Sequence, residues 1–214
     1  MNPRPKKLRL LRWLPRRLVL TSAPADDRVL YLTFDDGPHP EFTPRVLDLL
    51  AAHDAQASFF LLGQAAEHEP RIVERIVSEG HLIGNHSYSH PRFTKLPWSE
   101  QRAQIERTDQ VLEAFDQRTQ HRFRPPSGHF TMALLANFAL RRRNIAYWSY
   151  DSMDYQRKPA KSLVNLMREV PPRAGDVVLM HDDNAATVGM LEQMLPEWRA
   201  QGFTIRRLPE ETSA

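Results

Sequence analysis

A chain of 214 residues, 41% of them hydrophobic and 26% charged, has the length and balance of one substantial globular domain with a buried core. It contains no cysteine, which excludes disulfides, thiolate metal ligands and a thiol nucleophile, so any metal must be held by His, Asp or Glu. The net charge of +3 hides an asymmetry: Arg4, Lys6, Lys7, Arg9, Arg12, Arg16 and Arg17 precede residue 18 with no acidic residue among them, while the rest of the chain is net acidic.

That basic run is the first feature in chain order. Pro3, Pro5 and Pro15 interrupt any helix there. We therefore expect residues 1–25 to be a flexible, solvated extension, with a weak contact to an anionic membrane as its functional alternative. No nucleic-acid partner is expected, and the protein is expected to be a monomer. Arg12, Arg16 and Arg17 break up the apolar core that a secretory signal requires, although Thr21-Ser22-Ala23-Pro24-Ala25 would offer small residues for cleavage. No stretch approaches the roughly 18 apolar residues of a transmembrane helix.

The fold is expected to occupy residues 26–214. Val29-Leu-Tyr-Leu-Thr-Phe34 reads as a buried strand stopped by Asp35-Asp36-Gly37-Pro38. A helix follows at about 43–53, with Thr43 as N-cap and Pro44 at its first position. Residues 57–62 form the next strand, and a helix at 70–79 ends at Gly80. Further strands are predicted at 81–84, 122–124, 145–150, 177–180 and 203–206. Helices are predicted at 98–117, 131–142, 160–169 and 188–200. Seven strands separated mostly by helices, each strand a nearly continuous apolar run, predict a parallel α/β architecture.

Reactive side chains fall where those strands end. Asp35 and Asp36 follow the first strand, and His86 and His90 follow the third. Arg124 closes the fourth, Asp151 and Asp154 follow the fifth, and His181 follows the sixth. In parallel α/β folds the C-terminal strand ends share one rim, and active sites are built there. His86 and His90 are four residues apart, which on a helical turn puts their Cβ atoms roughly 5–6 Å apart. Two histidines and a carboxylate suit Zn²⁺ or another first-row metal. One of the adjacent carboxylates can ligate that metal while its neighbour takes a proton from water. An arginine can hold the base ionised, and a histidine steadied by a carboxylate can protonate a leaving group. Asp35, Asp36, Arg124, His181 and Asp154 fill these posts. His39, His129, Asp182 and Asp183 read as loop chemistry or substrate contacts, and Tyr147, Trp148 and Tyr150 as core and wall.

In this order the motifs resemble those of the polysaccharide deacetylases of the NodB-homology type, carbohydrate esterase family 4. The resemblance spans about residues 28–208. Thr33-Phe34-Asp35-Asp36-Gly37 resembles the first motif, which implies Asp35 as general base and Asp36 as metal ligand. His86-Ser87-Tyr88-Ser89-His90 resembles the second and implies two further ligands. Arg124-Pro125-Pro126-Ser127-Gly128 resembles the third, implying that Arg124 orients the base and that the Ser127 N–H supports an oxyanion. Asp151-Ser152-Met153-Asp154-Tyr155 resembles the fourth, with Asp154 paired to the acid histidine. Leu179-Met180-His181 resembles the fifth, with Leu179 lining the acetyl-methyl pocket and His181 as general acid.

The implied fold is a distorted (β/α) barrel of about seven parallel strands. The implied cofactor is one divalent metal, zinc first, with cobalt, nickel or manganese as other candidates. The implied reaction is hydrolysis of N-acetyl groups on an acetylated carbohydrate such as a chitooligosaccharide or peptidoglycan. Ser127 stands where the family commonly has Tyr, and Tyr155 where it usually has Trp, so sugar contacts should differ. Hydrolysis of a cyclic imide, an amide or an O-acetyl ester, or carbohydrate binding without catalysis, are the alternative readings.

Overall fold

The computed structural model describes residues 2–23 and 28–210. In chain order these form α1 (Leu8–Leu11), β1 (Val19–Leu20), β2 (Val29–Asp35), α2 (Phe42–Ala52), β3 (Ser58–Leu61), α3 (Gly63–His68), α4 (Pro70–Ser78) and β4 (Leu82–Asn85). There follow α5 (Trp98–Asp116), α6 (Met132–Leu140), β5 (Ile145–Ala146), β6 (Tyr150–Asp151), α7 (Ala160–Glu169), β7 (Val177–His181), α8 (Ala185–Ala200) and β8 (Thr204–Arg206). The six-stranded sheet runs β4-β3-β2-β7-β6, with β8 paired to the start of β2, and every pairing is parallel. It curls into a distorted (β/α) barrel: Phe123 bridges Asn85 of β4 to Ile145 of β5, and β5 pairs in turn with β1.

All seven residues of β2 are buried, as a central parallel strand requires. Its side chains nevertheless sort by the two-residue period of a strand. Leu30, Leu32 and Phe34 join the layer beneath the helices, with Leu47 and Leu50 of α2 and Met194 and Trp198 of α8. Val29 and Tyr31 belong to a second cluster, with Phe60, Phe123 and Leu179. The same alternation in β7 sends Val178 and Met180 to the helices and Val177 and Leu179 to the second cluster. Thr33, Asp35 and His181 thus share the parity of the inward positions, which is how polar groups reach the barrel mouth.

Several expectations are corrected. Residues 2–23 are not a free arm, although the proposed boundary between residues 25 and 26 lies outside the described residues. Leu8, Leu11, Val19, Leu20 and Ala23 are buried, β1 pairs with β5, and the Arg4 guanidinium grips Asp176 with two hydrogen bonds of 3.0 and 3.1 Å. The prolines do limit helix to the single turn α1, but the apolar residues between the cations close the barrel seam. The predicted strand at 122–124 is reduced to the two bridges of Phe123. The predicted strand at 145–150 splits into β5 and β6, because the Tyr147 and Trp148 rings stack on each other, 4.1 Å apart, instead of alternating across a sheet. Helix α2 starts earlier than expected, and the Thr43 hydroxyl bonds outside the helix rather than capping it. The short α3 was not anticipated, and α8 begins at Ala185 because the Asn184 side chain caps it through the Thr187 N–H.

Two consequences are measurable. Leu20→Ala removes buried apolar contact from the seam and should lower unfolding stability in urea by about 2–4 kcal/mol, although β1 lies in a segment that composition alone would discard. His81, whose Nδ1 accepts the Ala57 N–H, is pushed down to about 4 by burial. The unfolded chain takes up this proton near its ordinary value of 6.5, so between 6.5 and 4 the unfolded state binds more protons and stability falls with falling pH. His81→Gln keeps an acceptor but cannot titrate, and its stability should depend less steeply on pH across that window in denaturant titrations.

Candidate active site

Arg124 organises the floor of the barrel mouth. Its guanidinium is wholly buried and donates from Nη1 to Asp35 Oδ1 at 2.7 Å and to Thr33 Oγ1 at 2.8 Å, while lying over the Phe60 ring at 4.0 Å. Asp35 is buried too. Burial pushes its carboxyl up, and the adjacent Arg124 charge and hydrogen bond oppose that rise. The Arg124 carbonyl also accepts the His86 Nδ1–H at 2.7 Å, since a carbonyl can only accept. One residue thereby orients both the carboxylate and the first histidine.

With its proton on Nδ1, His86 presents the Nε2 lone pair to the mouth. Burial pushes it down to about 3, so the ring stays neutral. Nε2 lies 3.5 Å from Asp36 Oδ1, and His90 Nε2 lies 3.7 Å from the same oxygen. The three ligand atoms of Asp36, His86 and His90 fall within 4.8 Å of one another. Asp36 Oδ1 is buried and has no hydrogen-bond partner, an arrangement that a cation would satisfy. Two imidazoles and one carboxylate therefore fit a divalent ion with open positions.

The two histidines are not on a helical turn as the spacing suggested. They sit in a loop, and the left-handed φ of Ser87 (72°) and His90 (53°) swings their rings to centroids 5.2 Å apart. Asn85 braces that loop. Its amide donates to Asp109 Oδ1 and the Ile105 carbonyl of α5, and its oxygen accepts the Ser87 N–H.

From the other side of β2, strand β7 brings His181. Its Nδ1 is 2.7 Å from Asp154 Oδ1, its backbone N–H donates to Asp154 Oδ2 at 2.7 Å, and its Nε2 is 4.0 Å from Asp36 Oδ2. Burial disfavours the charged ring, but the Asp154 carboxylate outweighs it and pushes His181 up to about 10. Burial would raise Asp154, yet the hydrogen bonds from His181 and Thr187 hold it below its ordinary value. Leu179 is buried two residues before His181, and the exposed Tyr155 ring stands edge-on to His181 at 6.2 Å. Ser127, exposed with φ 54°, turns its loop at the mouth beside the buried Trp148. Asp151 is pushed up to about 6 by burial and accepts the Met153 N–H, apart from the His181–Asp154 pair.

Three supporting groups escaped the sequence reading. Asp182, expected as loop chemistry or a substrate contact, is fully buried and accepts from the Thr43 hydroxyl, which itself accepts the His39 N–H at 2.7 Å. This chain ties the loop after Asp36 to the strand that carries His181. Gly37 is required there because a β-carbon would collide with the Asp182 carboxylate. Thr187 and Asn85 were likewise unremarkable as sequence. The signal for Asp182 was its adjacency to His181. For Thr187 and Asn85 there was none, because their partners are distant in the chain.

The family model described as polysaccharide deacetylase matches residues 22–141. A peptidoglycan-N-acetylglucosamine deacetylase of Bacillus cereus is 36% identical over 203 residues, covering 92% of this chain and 73% of that protein. A chitooligosaccharide deacetylase of Sinorhizobium fredii is 32% identical, covering 96% of this chain and 99% of its own. Among solved structures, the Bc1960 peptidoglycan N-acetylglucosamine deacetylase, in complex with 4-naphthalen-1-yl-N-oxidanyl-benzamide, superimposes with a TM-score of 0.86 at 35% identity, covering 93% of this chain and 94% of that one. With a family model over more than half of the chain and relatives above 30% identity along most of it, this chain belongs to the polysaccharide deacetylase family.

Proposed function

We propose that this protein removes N-acetyl groups from an N-acetylated glycan of the chitooligosaccharide or peptidoglycan kind and releases acetate. One observation carries the reading. The Asp35–Arg124 pair and the His181–Asp154 pair flank the Asp36, His86 and His90 cluster, brought there by strands on the two sides of β2. The names of the relatives support the substrate class.

Asp36, His86 and His90 would hold one divalent ion, zinc by their donor set, with cobalt, nickel or manganese also compatible. When bound, such an ion supplies Lewis acidity toward the acetyl carbonyl and makes water more acidic. Asp35 accepts the proton of the attacking water, and Arg124 aims that carboxylate and favours its ionised form. The water oxygen bonds to the carbonyl carbon, and the backbone N–H of Ser127 donates to the oxygen that gains charge. His181, protonated at neutral pH and steadied by Asp154, then donates its proton to the nitrogen as the C–N bond breaks. Leu179 receives the acetyl methyl, and Tyr155 forms the wall beside the acid. The products are acetic acid, which ionises to acetate, and a free amine on the sugar; Asp35 then gives up the proton it took and His181 takes one up, so atoms and protons balance.

The decisive variant is Asp35→Asn, which keeps the shape of the mouth and removes the base. It should reduce acetate release from chitooligosaccharides at least about a thousandfold while metal content, measured by atomic absorption, stays at the wild-type level; substantial residual turnover would overturn the assignment. Chelator-treated protein should likewise release no acetate and regain activity with added Zn²⁺. His86→Ala should fail to regain it because its ion is no longer held.

A further inference from the structure

The two longest stretches of the sequence without an acidic residue are everything before Asp26 and residues 117–150. They are far apart in the chain, yet the fold brings them together. Val19 and Leu20 pair with Ile145 and Ala146, and the Asn144 amide donates to the carbonyls of Arg16 and Arg17. Leu11, Leu134 and Phe138 join one hydrophobic cluster. Positive charge is thereby concentrated in one region of a molecule whose remainder is net acidic. Lys6, Lys7, Arg9 and Arg12, with Arg141 and Arg142 after α6, are all exposed.

The same region exposes apolar side chains. Among the described residues, four of the six exposed large hydrophobics belong to it: Leu10 at 74%, Trp13 at 87%, Met132 at 78% and Leu140 at 83%. They are therefore concentrated there rather than scattered singly. Helix α6 carries no charged side chain at all, and its outward positions Ala133, Ala136 and Ala139 are exposed as well. The region borders the catalytic mouth. The Pro3 carbonyl accepts the Asp151 N–H, Lys7 lies close enough to His129 to act on its charge, and α6 begins three residues after His129.

We propose that this region docks the protein on an anionic lipid bilayer, with Leu10, Trp13 and the outer side of α6 entering the headgroup layer and the surrounding lysines and arginines meeting lipid phosphates. A soluble polyanion would engage the cations but leave Trp13, Met132 and Leu140 facing water. Lipid satisfies both sets, since an indole is at home at the interface and basic residues are drawn to an acidic surface. Docking in this way holds the catalytic mouth beside the bilayer.

The test is co-sedimentation of the full chain with phosphatidylcholine vesicles containing about 30% phosphatidylglycerol, against pure phosphatidylcholine, at low salt and at about 0.5 M NaCl. Wild-type protein should bind the acidic vesicles, ignore the neutral ones, and be largely released by salt. Arg9→Gln/Arg12→Gln should weaken binding by about fivefold per charge, and Trp13→Ser/Leu140→Ser by about tenfold or more. Both double variants alter exposed side chains outside the catalytic set, so melting temperature and acetate release from soluble chitooligosaccharides should be unchanged. Failure of the wild type to bind acidic vesicles, or equal binding to neutral ones, would overturn the proposal. So would undiminished binding of Trp13→Ser/Leu140→Ser alongside loss in the arginine variant, because the face would then be a site for a soluble polyanion.

Discussion

A guanidinium removed from water must find a charge, and in this molecule Arg124 finds Asp35 inside the barrel. The pair is costly to desolvate and is not there for stability, since buried ion pairs of this kind often contribute little net free energy. What it provides is placement. Arg124 holds one oxygen of the carboxylate, the Thr33 hydroxyl and, through its own carbonyl, the tautomer of His86. Asp35 and His86 are thus aimed by the same residue. Phe60 and Trp148 flank its guanidinium, so the planar cation is confined by rings as well as by hydrogen bonds. Removing the cation would leave Asp35 buried and unpaired, which is why the site and the core beneath it are coupled.

Around that pair, the backbone is held in conformations that side chains disfavour. Asp36, Ser87, His90, Ser127 and Met153 all have positive φ without being glycine, and each lies in a loop at the mouth. Such residues persist where their surroundings over-determine them. Asn85 and the Gln104 side chain of α5 fasten the loop from His86 to His90, and the Thr43–Asp182 bond fastens the one after Asp36. The geometry of the Asp36, His86 and His90 cluster is thus built by the body of the barrel and not by a preformed helical motif.

The amino-terminal segment changes how the charge distribution is understood. Its composition reads as a solvated basic arm, yet its apolar residues complete the barrel seam while its cations other than Arg4 stay exposed. A segment that both closes the fold and carries the positive face cannot be removed without affecting stability. Surface chemistry and core packing are joined there through Leu11, Val19 and Leu20.

The parallel architecture and the gathering of polar side chains on a single rim were legible in the sequence. Apolar strands punctuated by Asp35-Asp36, His86, Arg124 and His181 specify which side chains stand at strand ends, and two-residue alternation specifies which of them point inward. Other features could not be read this way. The loop geometry of His86 and His90, the split of the strand at Tyr147 and Trp148, and the burial of Asp182 depend on contacts between residues far apart in the chain. So does the seam formed by residues 2–23, where local composition argued for solvent and the pairing partner lies more than a hundred residues away. Sequence by itself determined the chemistry available to this protein, because local patterning decides strand ends and their parity. Tertiary structure alone decided the tautomer of His86, the company of Arg124 and the place of the basic segment, because each depends on long-range packing that no local pattern encodes.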